Sequence, residues 1–230
     1  MRILLPVIAI VAAVSPAAAA DRSFTVTGFT KIRIDGPYNV KVTTDSAPFA
    51  RATGEPSALD HLAIEVQGNT LIVHPDRSAW GGFPGQAHTA VEISVGTYEL
   101  ASAWVNGAGS VAIDKVRALS FDLAVEGPGS ASIGQADVDQ LRIRIAGTAL
   151  ATVAGRAPRL TAQVRGSSTL DAANLASKDV TIAAEGPATV KIAASSSAKV
   201  DAYGTAQVEL TGSPACTNRI YGSASVLGCK

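Results

Sequence analysis

From residue 100 onward the chain alternates apolar and polar positions, and the alternation restarts at a glycine about every twenty residues. Gly107, Gly127, Gly147, Gly166, Gly186, Gly204 and Gly222 are 20, 20, 19, 20, 18 and 18 residues apart. Two positions before them stand Val105, Val125, Ile145, Val164, Ala184, Ala202 and Ile220. Four positions after them stand Val111, Ala131, Ala151, Leu170, Val190, Val208 and Val226. Charged and amide side chains fall on the odd offsets, as at Asn106, Glu126, Arg165, Glu185, Lys191 and Glu209. Period two on both sides of a fixed glycine predicts two strands per repeat, each with one face inward, meeting at a corner. Glycine suits that corner because it lacks the Cβ that a sharp bend excludes, and Pro37, Pro128 and Pro187 fix φ on the exit side. A repeat of this length stacks into a solenoid. The expectation is an all-β, right-handed parallel β-helix of about seven 18–20-residue coils. A helical reading of the alanine-rich stretches fails, since β-branched residues at period two and a glycine in every unit oppose it.

The chain before the array is less regular. Phe24, Val26, Ile32 and Ile34 predict strands over 23–27 and 30–34. Gly36 then turns the chain into 38–43, an eighth copy of the repeat that stands apart in sequence. A strand over 49–53, a short helix from Pro56 to Leu62, and a hairpin pairing 63–66 with 70–74 across Gln67-Gly68-Asn69 follow. Strand character resumes at 90–95. Between them, 75–89 is the one long stretch without a period; it carries Arg77, Trp80 and Phe83. An aromatic-bearing loop on a regular scaffold is a candidate binding site, the alternative being a plain hairpin tip. The chain divides into 1–20, 21–99 and 100–230.

Composition narrows the picture. Hydrophobic residues make up 47% and aromatics only 5%, so the interior must be thin and filled by small side chains. Lys plus Arg equals Asp plus Glu at 19 each, which leaves no electrostatic footprint for nucleic acid or an anionic membrane. Residues 1–20 combine Arg2, a short apolar run broken by Pro6, and a small-residue end at Pro16–Ala20. That is a secretory signal peptide, with cleavage expected after Ala20 and no membrane span afterwards. The two cysteines, Cys216 and Cys229, flank Gly222 at facing ends of the last coil. In an exported chain they are expected to form a disulfide that staples the terminal coil, rather than two free thiols.

Little in the chain points to chemistry. His61, His74 and His88 meet no metal-ligand spacing, and no cofactor is expected. The serine-bearing corners lack a nucleophile elbow, and 127–130 lacks the lysine of a phosphate loop. Glu126 and Glu185 share an outward offset but lie about three coils apart, near 14 Å by the strand spacing, too far for paired glycosidase carboxylates. Tyr203 and Tyr221 fall one above the other just before their glycines, where they could bind sugar or protein, or simply pack as a ladder.

The opening FTKIRIDGPYNVKVT, the LIV strand at 71–73, and ELASAWVNGAGSVAI followed by the glycine-centred repeats resemble the auto-transporter adhesin head GIN domain family. The likeness spans about residues 24–228 and rests on the order of elements and the repeat, with no catalytic motif. The resemblance implies an exported bacterial protein, periplasmic or at the cell surface, built on a β-helix-like array. The leading functional expectation is a non-enzymatic, adhesin-like binder of an envelope or surface ligand, glycan or protein, with Arg77, Trp80, Phe83, Tyr203 and Tyr221 as candidate contacts. The alternatives are a structural spacer or assembly unit and, last, a carbohydrate-active β-helix enzyme.

Overall fold

The computed structural model describes residues 20–76 and 91–230. The expected signal peptide, apart from Ala20, lies outside the described residues, as do Arg77, Trp80, Phe83 and His88. Eight strands and one helix precede the array proper: β1 (Ala20–Phe24), β2 (Lys31–Asp35), β3 (Asn39–Thr43), β4 (Phe49–Gly54), α1 (Pro56–Asp60), β5 (Leu62–Gln67), β6 (Thr70–Pro75), β7 (Glu92–Gly96) and β8 (Ser102–Asn106). The array continues with β9 (Ser110–Gly127), β10 (Ser130–Gly147), β11 (Leu150–Arg156), β12 (Arg159–Gly166), β13 (Thr169–Glu185), β14 (Thr189–Gly204), β15 (Gln207–Thr211), β16 (Ala215–Gly222) and β17 (Ser225–Leu227).

The array is a parallel β-solenoid in which every corner glycine stacks on the next. Gly127 pairs in register with Gly147, Gly147 with Gly166, and Gly204 with Gly222. The seven corners from Gly107 to Gly222 enclose six turns. Each corner glycine has positive φ, +97° at Gly147. A Cβ on Gly147 would lie 3.0 Å from the carbonyl oxygen of Gly127 and 3.1 Å from its Cα. The glycine is thus demanded twice, by the bend and by the coil below it.

Each coil has a third, short side that the sequence reading did not anticipate. After Ile133 the pairing register shifts before resuming at Ala136, and comparable shifts follow Thr152 and Ala172. A bulge of this kind moves the chain out of its period-two frame. Val116, Ala136, Val138 and Leu175 therefore turn inward although the glycine-based count does not predict them. The third side also absorbs the change in coil length. The inward column Phe121, Leu141, Leu160, Val180, Ala198 pairs in register and shrinks toward the C-terminus as the period falls from 20 to 18 residues. Small side chains there close the narrower coils at interior density.

Gly36, isolated in sequence, is not isolated in space. β2 pairs in parallel with β8, and β3 with β9, so the Gly36 corner lies directly against Gly107. A further rung lies beyond it, made of β6 against β2 and β7 against β3. The two sheets then end in antiparallel strands: β5 beside β6 on one face, β4 and β1 beside β7 on the other. β1 spans Ala20–Phe24, upstream of the expected 23–27, because its partners are Ala50 to Gly54 of β4. α1 closes this end, with Ala58 and Leu59 buried. Arg22 donates to the Leu59 carbonyl at 3.0 Å and lies over the Phe24 ring. In the adjoining loops Thr97, itself buried, donates from its hydroxyl to the Phe29 carbonyl.

Tyr38 occupies the offset two after Gly36 and is buried, which raises its hydroxyl pKa above the ordinary value near 10 through desolvation. The folded state then holds a proton that the unfolded chain has already released. This contribution is intact below pH 10 and declines as pH rises through the folded value. We expect the alkaline fall in stability, followed by denaturant midpoint from pH 8 to 11, to be shallower in Tyr38→Phe than in the parent chain.

Candidate functional site

The strands that lead into the corner glycines form one flat outer face along the length of the solenoid. Alternation forces every second residue of these strands outward, and the parallel register lines them into columns. One column, just before the glycines, reads Asp35, Asn106, Glu126, Ala146, Arg165, Glu185, Tyr203, Tyr221. The next reads Arg33, Trp104, Ala124, Arg144, Gln163, Ala183, Asp201, Arg219. Cross-strand ion pairs such as Arg165–Glu185 at 3.4 Å and Arg142–Asp122 at 3.9 Å decorate this face. Solvent-exposed pairs of this type contribute about 0–1 kcal/mol each and serve register more than stability.

The polar groups converge at the N-terminal end of this face. Arg33, Asp35, Glu65, Gln67, Ile72, His74 and Pro75 line an open groove of about 450 Å³ between β2, β6 and β5. Arg33 Nε lies 2.9 Å from Asp35 Oδ2, while Asn106 Nδ2 donates to Asp35 Oδ1 at 2.6 Å. Gln67 Nε2 donates to Glu65 Oε1 at 2.7 Å, and His74 Nε2 stands 3.3 Å from the same oxygen. Trp104, part-exposed, follows Arg33 in its column, and beside it Ala124 is buried although it faces outward. At this end the face therefore offers the aromatic surface of Trp104 beside fixed carboxylate, amide and guanidinium groups, with the His74 imidazole across the groove.

The segment singled out for its aromatics is rooted at the same place. Ile34 pairs with Val73 and Asn39 with Glu92, so Pro75 stands at the position of Gly36 and Val91 at that of Tyr38. A regular corner has one residue between those positions, and this rung has the whole of 76–90. Pro75 in the glycine position is why no repeat is visible there in the sequence. Arg77, Trp80 and Phe83 themselves lie outside the described residues.

Tyr203 and Tyr221 do meet, as stacked rings with centroids 5.0 Å apart and planes within 6°. They are not part of the groove: six ladder steps separate Asp35 from Tyr203, roughly 29 Å at the strand spacing. Cys216 and Cys229 are disulfide-bonded, with Cα atoms 5.6 Å apart. Among the described residues no group of three or more His, Cys, Asp or Glu side chains could hold a metal ion. The opposite face bears a shallow trough of about 470 Å³ lined by small residues, Ala112, Ser132, Gly134, Thr152 and Ala154, with Lys41 and Asp114 at one end. It lacks the convergent polar groups of the groove and has no aromatic among its lining residues.

Residues 28–214 match the family described as "Putative auto-transporter adhesin, head GIN domain". The chain belongs to this family. The GIN domain fold recurs in solved structures. It is similar to a putative adhesin from Bacteroides fragilis, with a TM-score of 0.81 at 20% identity, covering 92% of this chain and 96% of that one. It is similar to a putative lipid binding protein from Parabacteroides distasonis, with a TM-score of 0.66 at 23% identity, covering 90% and 95%. A putative adhesin from Parabacteroides merdae gives a TM-score of 0.66 at 16% identity, covering 90% and 95%. At these identities the likeness establishes the fold alone. No curated protein matches the chain. The description of the family as an auto-transporter adhesin head implies an exported protein.

Sequence reasoning missed the groove. In the sequence Trp104 is one more outward position of a repeat, Glu65 a hairpin residue, and His74 a strand-end histidine without metal-ligand spacing. What unites them is the stacking of β6 beyond β2, which places residues 33–35 beside 72–74. Local pattern does not encode that pairing.

Proposed function

We propose that this GIN domain protein is a non-enzymatic binder of the bacterial envelope or cell surface, and that it holds a glycan on the face around Trp104 and the Arg33–Asp35–Glu65–His74 groove. The supporting observation is the convergence, on one rigid face, of an aromatic surface with hydrogen-bonding groups that are already ordered by one another. Sugars present apolar C–H patches and many hydroxyls, and such a mixed surface answers both. A protein partner would call for a buried apolar anchor pocket at the centre of the contact, and the groove offers only Ile72 and Pro75. Ordered side chains on strands lose little freedom on binding, which favours affinity. Pro75, the last residue of β6 before the segment 76–90, lies on the rim of the groove.

A screen of the intact chain against glycans and envelope proteins tests this reading, with Trp104→Ala and a deletion of 77–90 in parallel. We expect glycan binding that Trp104→Ala weakens at least tenfold while the thermal midpoint stays near that of the parent, since the indole is part-exposed. Binding lost only on deletion of 77–90 would move the site to that segment. A folded chain that binds nothing would leave the rigid spacer as the function.

A further inference from the structure

The two ends of the solenoid are finished differently. At the N-terminal end α1 covers the core with Ala58 and Leu59, and antiparallel strands flank it. At the C-terminal end the disulfide and Asn218, whose Nδ2 lies 3.5 Å from Cys229 Sγ, cover the side near the third face. The corner side is bare. Ile220 occupies the inward column above Ala202, which is 0% exposed, yet Ile220 itself is 46% exposed. Tyr221 is 55% exposed and Leu227 64%. Among the described residues β16 pairs only with β14, and β17 only with β15, so both sheets end in a free edge. β16 has eight residues and no proline, and its one charge, Arg219, is paired with Asp201 at 3.9 Å on the strand below, so little keeps this edge from pairing. Repeat arrays need a polar cap at each end, and here one is incomplete.

We infer that this end is completed by a second copy of the chain, joined tail to tail through antiparallel pairing of the two β16 strands about Ile220. Three observations choose this occupant. First, α1 covers the core at the N-terminal end, so a head-to-tail copy would meet strand edges there but no open core against which to bury Ile220. Second, the sequence Asn218-Arg219-Ile220-Tyr221-Gly222 is self-complementary about its centre. Antiparallel pairing that sets Ile220 opposite Ile220 of the second copy sets Arg219 beside Tyr221 of that copy, and the reverse, on the same outer face. Third, the Tyr203–Tyr221 stack leaves the far face of Tyr221 open along the solenoid axis, where a guanidinium from the next strand would sit. The contact is isologous and closed, so it yields a dimer and not a fibre. Such a dimer would carry two copies of the groove face, although the inference stands without the binding reading.

Sedimentation equilibrium on the full exported chain with its disulfide intact, over about 1–100 µM, tests this. The expected result is a mass twice that of the 23.3 kDa chain less its signal peptide. Ile220→Arg, which places two like charges at the two-fold axis, is expected to return the mass to one copy. Tyr221→Lys, an exposed outward position that leaves the fold intact, should do the same. A Glu65→Arg variant on the opposite terminal edge should remain dimeric. A parent chain that is monomeric throughout the range would overturn the inference. So would a dimer that survives both β16 substitutions, or an open-ended assembly that Glu65→Arg abolishes.

Discussion

Gly155→Ala should destabilise the protein by about 3–5 kcal/mol, or prevent its folding, while Gly68→Ala should cost no more than about 1–2 kcal/mol. Both glycines have positive φ, +118° and +63°. Around Gly68, in the tip of the β5–β6 hairpin, a Cβ would meet nothing within 4 Å. On Gly155 the same atom would overlap the carbonyl oxygen of Ala136 and stand 2.5 Å from its nitrogen. Ala136 belongs to the ladder partner one coil below, in register with Gly155. The obstruction is backbone on both sides, so relief requires coils to separate, and parallel pairing on either side of the bulge would be lost with it. The difference between the two variants, read as denaturant midpoints at constant slope, isolates the cost of stacking from the cost of the left-handed conformation.

Removing the disulfide by a Cys216→Ser, Cys229→Ser double change should cost about 3 kcal/mol. That is the chain-entropy value for a loop of this length, and the cysteines are 13 residues apart. In a stack, however, each coil is held mainly by its neighbours, so loss of the clip should loosen the last coil before the rest. β16 and β17 are already the most exposed strands of the array. Amide exchange should therefore speed up over 215–230 in the double variant and remain slow at Val125, Ile145 and Val164. Uniform acceleration along the whole stack would show that the solenoid unfolds as a single unit.

The array was legible because period two and the glycine spacing report the same geometry. The inward residues two before and four after each glycine from Gly107 to Gly204 are the core, as at Val125 and Val190. The pairing of Cys216 with Cys229 followed from their placement about one corner. The third side was not legible, since a bulge resets the alternation and leaves Val116 and Ala136 out of frame. The terminal rung was hidden for a different reason. Its two strands, β6 and β7, are split by 76–91, and Pro75 replaces the glycine that marks every other corner. The groove depends on that rung, so the sequence points to Trp80 and Phe83 in the segment and to Tyr203 and Tyr221 in the ladder, and not to Trp104, which pairs with Arg33 one strand away.

The most direct test of the binding face is the indole N–H resonance of Trp104, followed while the chain is titrated with the glycan that the screen selects. The chain has two tryptophans, so two indole peaks are expected, and Trp104→Phe assigns them. The Trp104 peak is expected to shift progressively, together with the Arg33 Nε–H and Asn106 side-chain amide signals. A Trp104 peak that stays fixed through saturation, while signals from Tyr203 and Tyr221 or from the opposite face move, would contradict it.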